Sequence, residues 1–147
     1  MLCRTCSSFA HLSLRTDHYR IVGIVRWATT AVVPALEGYS RVAKIGAVLV
    51  TGGPGRKRLV DCYISQWDDH FVANEGECAS HGTADLRTLG FVLDDNGVTA
   101  ARSAGLATAA LYRCFDNTTK NHAVSLSEGC EGRGKLEFSL GHIIATG

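Results

Sequence analysis

The chain has 147 residues, a length that fits one domain with a sizeable core. Fifteen basic and fourteen acidic residues leave a formal net charge of +1, so nothing in the composition marks a nucleic-acid or anionic-membrane binder. The longest apolar runs, such as 45–50, are too short to span a bilayer, and sixteen glycines against two prolines favour strands and turns over long helices.

In chain order, the first motif is Cys3-x-x-Cys6 followed by His11 and His18. These are residue types for tetrahedral zinc, but the spacing matches no zinc finger and the expectation is no metal and no cofactor. The segment from Met1 to Cys6 lacks the apolar core of a secretory signal, which predicts that the chain is a piece of a longer secreted protein. Asp17-His18-Tyr19 comes next, then an apolar run from Ile21 to Val33 whose Trp27 reads as buried. Periodicity leaves open whether that run is strand or buried helix. Gly52 to Arg58 resembles a phosphate loop at a glance, but Lys57 stands between Arg56 and Arg58 where Walker A requires Gly-Lys-Ser/Thr.

From Arg58 the pattern is clearer. Strands are predicted over Arg58–Ser65 and His70–Ala73 around a turn at Asp68-Asp69, then a loop from Asn74 to Thr83 and a third strand over Leu89–Leu93. Asp94-Asp95-Asn96-Gly97 is a strong turn signal, and Val98–Ala101 reads as a fourth strand. The same plan recurs with strands over Ala110–Phe115, His122–Leu126 and Leu136–Ala145.

That recurrence has a period. Asp17-His18-Tyr19, Asp69-His70-Phe71 and Asn121-His122-Ala123 stand 52 residues apart, and Gly38, Gly90 and Gly141 follow them with one deletion. Cys62 and Cys78 are matched by Cys114 and Cys130 at the same offset, which predicts the disulfides Cys62–Cys78 and Cys114–Cys130, each inside one repeat. Closing a loop of that size stabilises by about 3 kcal/mol and implies an oxidising compartment. Three repeats, approximately 1–52, 53–104 and 105–147, cannot each bury an apolar face alone. Closure about a common axis leaves fewer open edges than a linear stack, so the expected fold is all-β, a pseudo-threefold β-trefoil-like domain.

Leu111-Tyr112-Arg113-Cys114-Phe115, Asn121-His122, Gly129-Cys130-Glu131-Gly132 and Leu140-Gly141 resemble a bacterial and fungal tandem-repeat family. Its pattern is Leu-Tyr-Arg, a turn, Asp-His-Phe, a variable loop and a Gly-aromatic pair. Val60-Asp61-Cys62-Tyr63, Asp69-His70-Phe71 and Leu89-Gly90-Phe91 match more loosely, and residues 9–50 weakly. The resemblance implies non-catalytic modules, usually in threes, on exported proteins. Here the first repeat lacks the Leu-Tyr-Arg start and both cysteines, and the third has Asn121 for Asp and Ala123 for the aromatic residue.

Asp69 and His70 are neighbours on a predicted strand and point to opposite faces, so they do not form an acid–base dyad. No Gly-x-Ser-x-Gly elbow is present, and the expectation is a binding module with no catalytic residues. The repeated Asp and His either cap turns and fill fixed hydrogen-bonded places, or contact a ligand. In the second case the sites are Asp17, His18 and Tyr19, then Trp67, Asp69, His70 and Phe71, then Asn121 and His122. A carboxylate, an imidazole and an aromatic face suit a pyranose, which makes carbohydrate or a cell-wall glycan the expected partner. The competing reading is a protein-binding or inhibitor-like trefoil that uses loops 74–88 and 131–137, including Ala79-Ser80-His81-Gly82. A hydrolase would need a facing pair among Asp68, Asp69, Asp85, Glu75 and Glu137.

Overall fold

The computed structural model describes residues 14–21, 27–30 and 39–145, with side chains from residue 45 onward. Cys3, Cys6, His11 and Gly38 lie outside the described residues, as do the side chains of Asp17, His18, Tyr19 and Trp27. Strands β1 (Leu14–Ile21), β2 (Trp27–Thr30) and β3 (Tyr39–Val48) are followed by β4 (Arg56–Ile64), β5 (Asp69–Asn74) and β6 (Asp85–Leu93). Helix α1 (Asp95–Ser103) then precedes β7 (Thr108–Asp116), β8 (Asn121–Ser125) and β9 (Lys135–Ile144). The described residues are predominantly antiparallel β-sheet, with one α-helix.

One plan occurs three times. The first strand pairs with the second as a hairpin and with the third on its other edge, giving β2-β1-β3, β5-β4-β6 and β8-β7-β9. In each sheet the third strand carries two bulges against the first, beside Leu59–Val60 and Asp61–Cys62 in the second and beside Leu111–Tyr112 and Arg113–Cys114 in the third. The bulges bend the long strand, so its two halves do different work. Asp85–Thr88 at the start of β6 are exposed, whereas Leu89, Gly90, Val92 and Leu93 are buried.

The buried halves of β3, β6 and β9 meet one another. Ala47 pairs with Ile144, His142 with Leu93, and Phe91 with Leu49. At each crossing sits a glycine of positive φ, Gly46 (+153°), Gly90 (+142°) and Gly141 (+133°). A Cβ at Gly46 would fall on Ile143, at Gly90 it would lie 2.5 Å from Val48 Cγ2, and at Gly141 2.7 Å from Val92 Cγ2. Only glycine accepts both that backbone conformation and so close an approach. Around the crossings lies the main core, Val48, Leu59, Val72, Leu89, Val92, Leu111, Val124, Leu140 and Ile143.

Two sequence expectations change here. Val98–Ala101 is part of α1 and not a fourth strand. Asp94, read as a turn residue, is the helix N-cap, its carboxylate accepting the Gly97 N–H at 2.9 Å, and Val98 and Ala101 turn inward onto Leu49, Leu93 and Ile144. The other change concerns the first repeat. In the hairpins, Tyr63 pairs with His70 and Phe115 with His122, and the pair at the same spacing in β1–β2 is Arg20 with Trp27. The step from Tyr63 to Phe115 is 52 residues, but that from Arg20 to Tyr63 is 43. His18 therefore sits on a first strand opposite Thr29, where Asp61 and Arg113 sit in the other sheets, and Gly46 rather than Gly38 matches Gly90 and Gly141.

Candidate functional site

Residues singled out in the second and third copies meet where hairpins β4–β5 and β7–β8 pack together. Strand alternation puts Asp69 and Phe71 on one face of β5 and His70 on the other. Asp69 is fully buried and faces β8, where its Oδ1 accepts the backbone N–H of His122 at 3.0 Å and its Oδ2 lies 2.5 Å from His122 Nδ1. The second ring nitrogen of His122 lies 3.5 Å from Glu137 Oε2, which also accepts Arg113 Nε–H at 2.6 Å. Arg113 is buried as well, donating to the Val72 carbonyl at 3.3 Å, with its guanidinium 4.2 Å from the Phe138 ring centre. The His122 ring lies between Phe71 at 4.7 Å and Phe115 at 4.6 Å, and His81 meets it edge-on at 5.8 Å.

Electrostatics follow from this layout. Burial disfavours a charge on His122, but bonds to Asp69 and Glu137 outweigh it and raise its pKa above the usual 6.5. Burial would likewise raise Glu137, yet His122 and Arg113 hold it down to about 2. His81 goes the other way, lowered by burial and by the nearby Arg113 and His122 charges. Both His122 nitrogens face carboxylates, an arrangement that an imidazolium with two N–H donors satisfies. Asp69 and Glu137 lie on opposite sides of one imidazole ring.

The β4–β5 hairpin carries a related cluster. His70 Nδ1 lies 3.3 Å from Asp61 Oδ2, to which Arg87 Nε–H donates at 3.1 Å, and Tyr63 stacks on His70 at 4.7 Å. The first strand supplies the carboxylate and the third the guanidinium, the reverse of Arg113 and Glu137. The sequence pattern names Asp61 and Arg113 only as motif residues, and gives neither them nor Arg87 a place in the site. The signal was there: Asp61 and Arg113 are 52 apart with opposite charge, and each has a complementary residue on its third strand.

Among the remaining predicted residues, Phe71 is 2% exposed, and Asn121 is buried with its amide donating to the Thr119 carbonyl at 3.2 Å. Asp69, Phe71, Asn121 and His122 are all buried among other parts of the chain. His70 keeps a side chain 18% exposed. Trp67 is half-buried in the hairpin turn, its ring 5.9 Å from Phe115 and 5.8 Å from Lys120 Nζ. Beside it, Asp68 is exposed and accepts the Tyr63 hydroxyl at 2.9 Å. Asp68 (φ 50°) and Lys120 (φ 56°) hold the same left-handed turn position in the two hairpins, so that conformation belongs to the turn. Asp17, His18 and Tyr19 lie on β1, opposite Thr30, Thr29 and Ala28.

Both disulfides form as the cysteine spacing predicts, Cys62–Cys78 with Cα atoms 5.5 Å apart and Cys114–Cys130 at 5.9 Å. Each ties a first strand to a 3-10 turn, Glu77–His81 or Cys130–Gly132, and the former positions His81 against Phe71 at 4.8 Å. Among the described residues, no three His, Cys, Asp or Glu side chains are grouped to hold a metal ion. None of the helices described is long and apolar enough to cross a membrane. Searches against protein-family models, curated proteins and solved structures find no match to this chain.

Proposed function

We propose that the protein is a secreted, non-catalytic binding module of β-trefoil type, with three repeats turned about one axis, and that its ligand is a carbohydrate such as a cell-wall glycan. The tandem-repeat family signature of residues 53–147 belongs to this reading. Three mutually paired strands with a glycine at each crossing support the closed arrangement. Two buried disulfides support the extracellular location.

The observation that carries the ligand is Trp67. A partly exposed indole at a hairpin tip, flanked by the exposed Asp68 carboxylate and the Lys120 ammonium, offers a pyranose an apolar face to stack on and charged groups for its hydroxyls. His70 lies on the same hairpin behind Tyr63 and Asp68. The test is retention of the oxidised protein on insoluble polysaccharides and on a glycan array. Trp67→Ala and His70→Ala should each lose retention while keeping a cooperative unfolding transition. Retention unchanged in both variants removes this site.

A protein-binding module is the second reading, favoured by one observation. Leu86 is 56% exposed and Leu136 42%, and they close the two loops that the sequence marks for such contacts. Under this reading Leu86→Asp abolishes capture of the partner and Trp67→Ala leaves it intact.

A further inference from the structure

The tip of the β7–β8 hairpin is a four-residue turn at 117–120, and Asn117, Thr118 and Thr119 in it are all exposed. They spell Asn-x-Thr with x other than proline. Of the four asparagines in the chain, at 74, 96, 117 and 121, Asn117 is the one with Ser or Thr two residues on. We propose that Asn117 is an acceptor for N-linked glycosylation, a site that rests on the secreted reading above.

Local geometry fits that role. Lys120 Nζ lies 2.5 Å from Asn117 Oδ1, and because an ammonium only donates, the amide oxygen faces Lys120 and Nδ2 is turned away. The turn itself is held by Asp116, whose carboxylate accepts the Thr118 N–H at 2.9 Å and bonds the Thr119 hydroxyl. Replacing one Nδ2 hydrogen with a sugar therefore breaks none of these bonds. Asn121 makes the contrast, since its Nδ2 is buried and donates to Thr119 O. The disulfide at Cys114, in the same strand, places maturation in an oxidising compartment, the setting in which this modification occurs.

In the reaction, Asn117 Nδ2 attacks the anomeric carbon of a lipid diphosphate-linked oligosaccharide. The N–C bond forms as the anomeric C–O bond breaks, the lipid diphosphate leaves with the electron pair, and the amide proton passes to a carboxylate of the transferase. Modification comes before folding, and the folded turn then leaves the glycan in solvent.

The test directs the full chain into the secretory pathway of a eukaryotic cell and measures its intact mass before and after peptide N-glycosidase. The expected result is a single glycan on most chains, removed by the enzyme with conversion of Asn117 to Asp. The glycan should be absent in Asn117→Gln and Thr119→Ala and retained in Thr119→Ser. Secretion of a chain with both disulfides closed and an unmodified Asn117 overturns the site and leaves the secreted reading standing. Retention inside the cell with free thiols overturns both.

Discussion

His122 joins three strands through one ring: β8 carries it, β5 supplies Asp69 to Nδ1, and β9 supplies Glu137 to Nε2. Because the ring and Asp69 are buried, loss of either partner strands a charge without water. Asp69→Ala should destabilise by about 3 kcal/mol in urea titrations, and a cost under about 1 kcal/mol would show that the contact is incidental. The pH dependence follows from signs. Glu137 has a lowered pKa, so its contribution is complete above 4.5 and fades as pH falls towards about 2. His122 has a raised pKa, so its contribution is complete below 6.5 and fades as pH rises through the folded value. His81, lowered, opposes it, favouring the fold above 6.5 and losing that as pH falls. Between about 4.5 and 6.5 the His122 and Glu137 contributions are both complete, and the acid limb below 4.5 should flatten in Glu137→Gln when unfolding midpoints are measured against pH. The sequence announced His122 through its spacing from His70. It was silent on what the ring touches, since Asp69 lies on another hairpin and Arg113 and Glu137 are 24 residues apart.

At the scale of elements, two parts of the chain teach different lessons. The disulfides were legible because a pair repeated at a fixed offset constrains its own partners, whereas α1 was misread because Asp94-Asp95-Asn96-Gly97 serves equally as a hairpin turn and as a helix start. What decides is downstream: Val98 and Ala101 share a face at helical spacing, whereas a strand would put them on opposite faces. Gly97 is also pressed against the Gly55 carbonyl, so α1 is docked at its first turn on the segment before β4. Asp94→Ala removes the cap and should cost about 1 kcal/mol, while Gly97→Ala should cost more than the cap because its Cβ would collide with that carbonyl. Equal costs for the two variants in chemical denaturation would argue that α1 is loosely docked. Double replacement of Cys114 and Cys130 by Ser should cost about 3 kcal/mol under oxidising conditions, a difference that should largely vanish when both proteins are reduced.

The whole molecule turns on how its first sheet meets its last. The 52-residue offset made the second and third sheets readable from the sequence, but the first hairpin stands 43 residues before the second, so its histidine and glycine landmarks were matched to the wrong strand positions. The strand crossings identify the correct one: Gly46 is covered by Ile143, Gly90 by Val48 and Gly141 by Val92, each glycine being roofed by the residue two places past the glycine of another sheet. Were the three sheets a linear stack, the contact between first and last would be dispensable, and Gly46→Ala would be milder than Gly90→Ala. In the proposed closed arrangement the three crossings carry equal weight. Each Gly→Ala variant should therefore lose about 3 kcal/mol, from positive-φ strain together with a Cβ driven into a buried side chain. Their unfolding should stay a single transition, because opening any one crossing exposes the Val48, Val92 and Ile143 core that all three share. A Gly46→Ala protein as stable as wild type would argue against the closed arrangement.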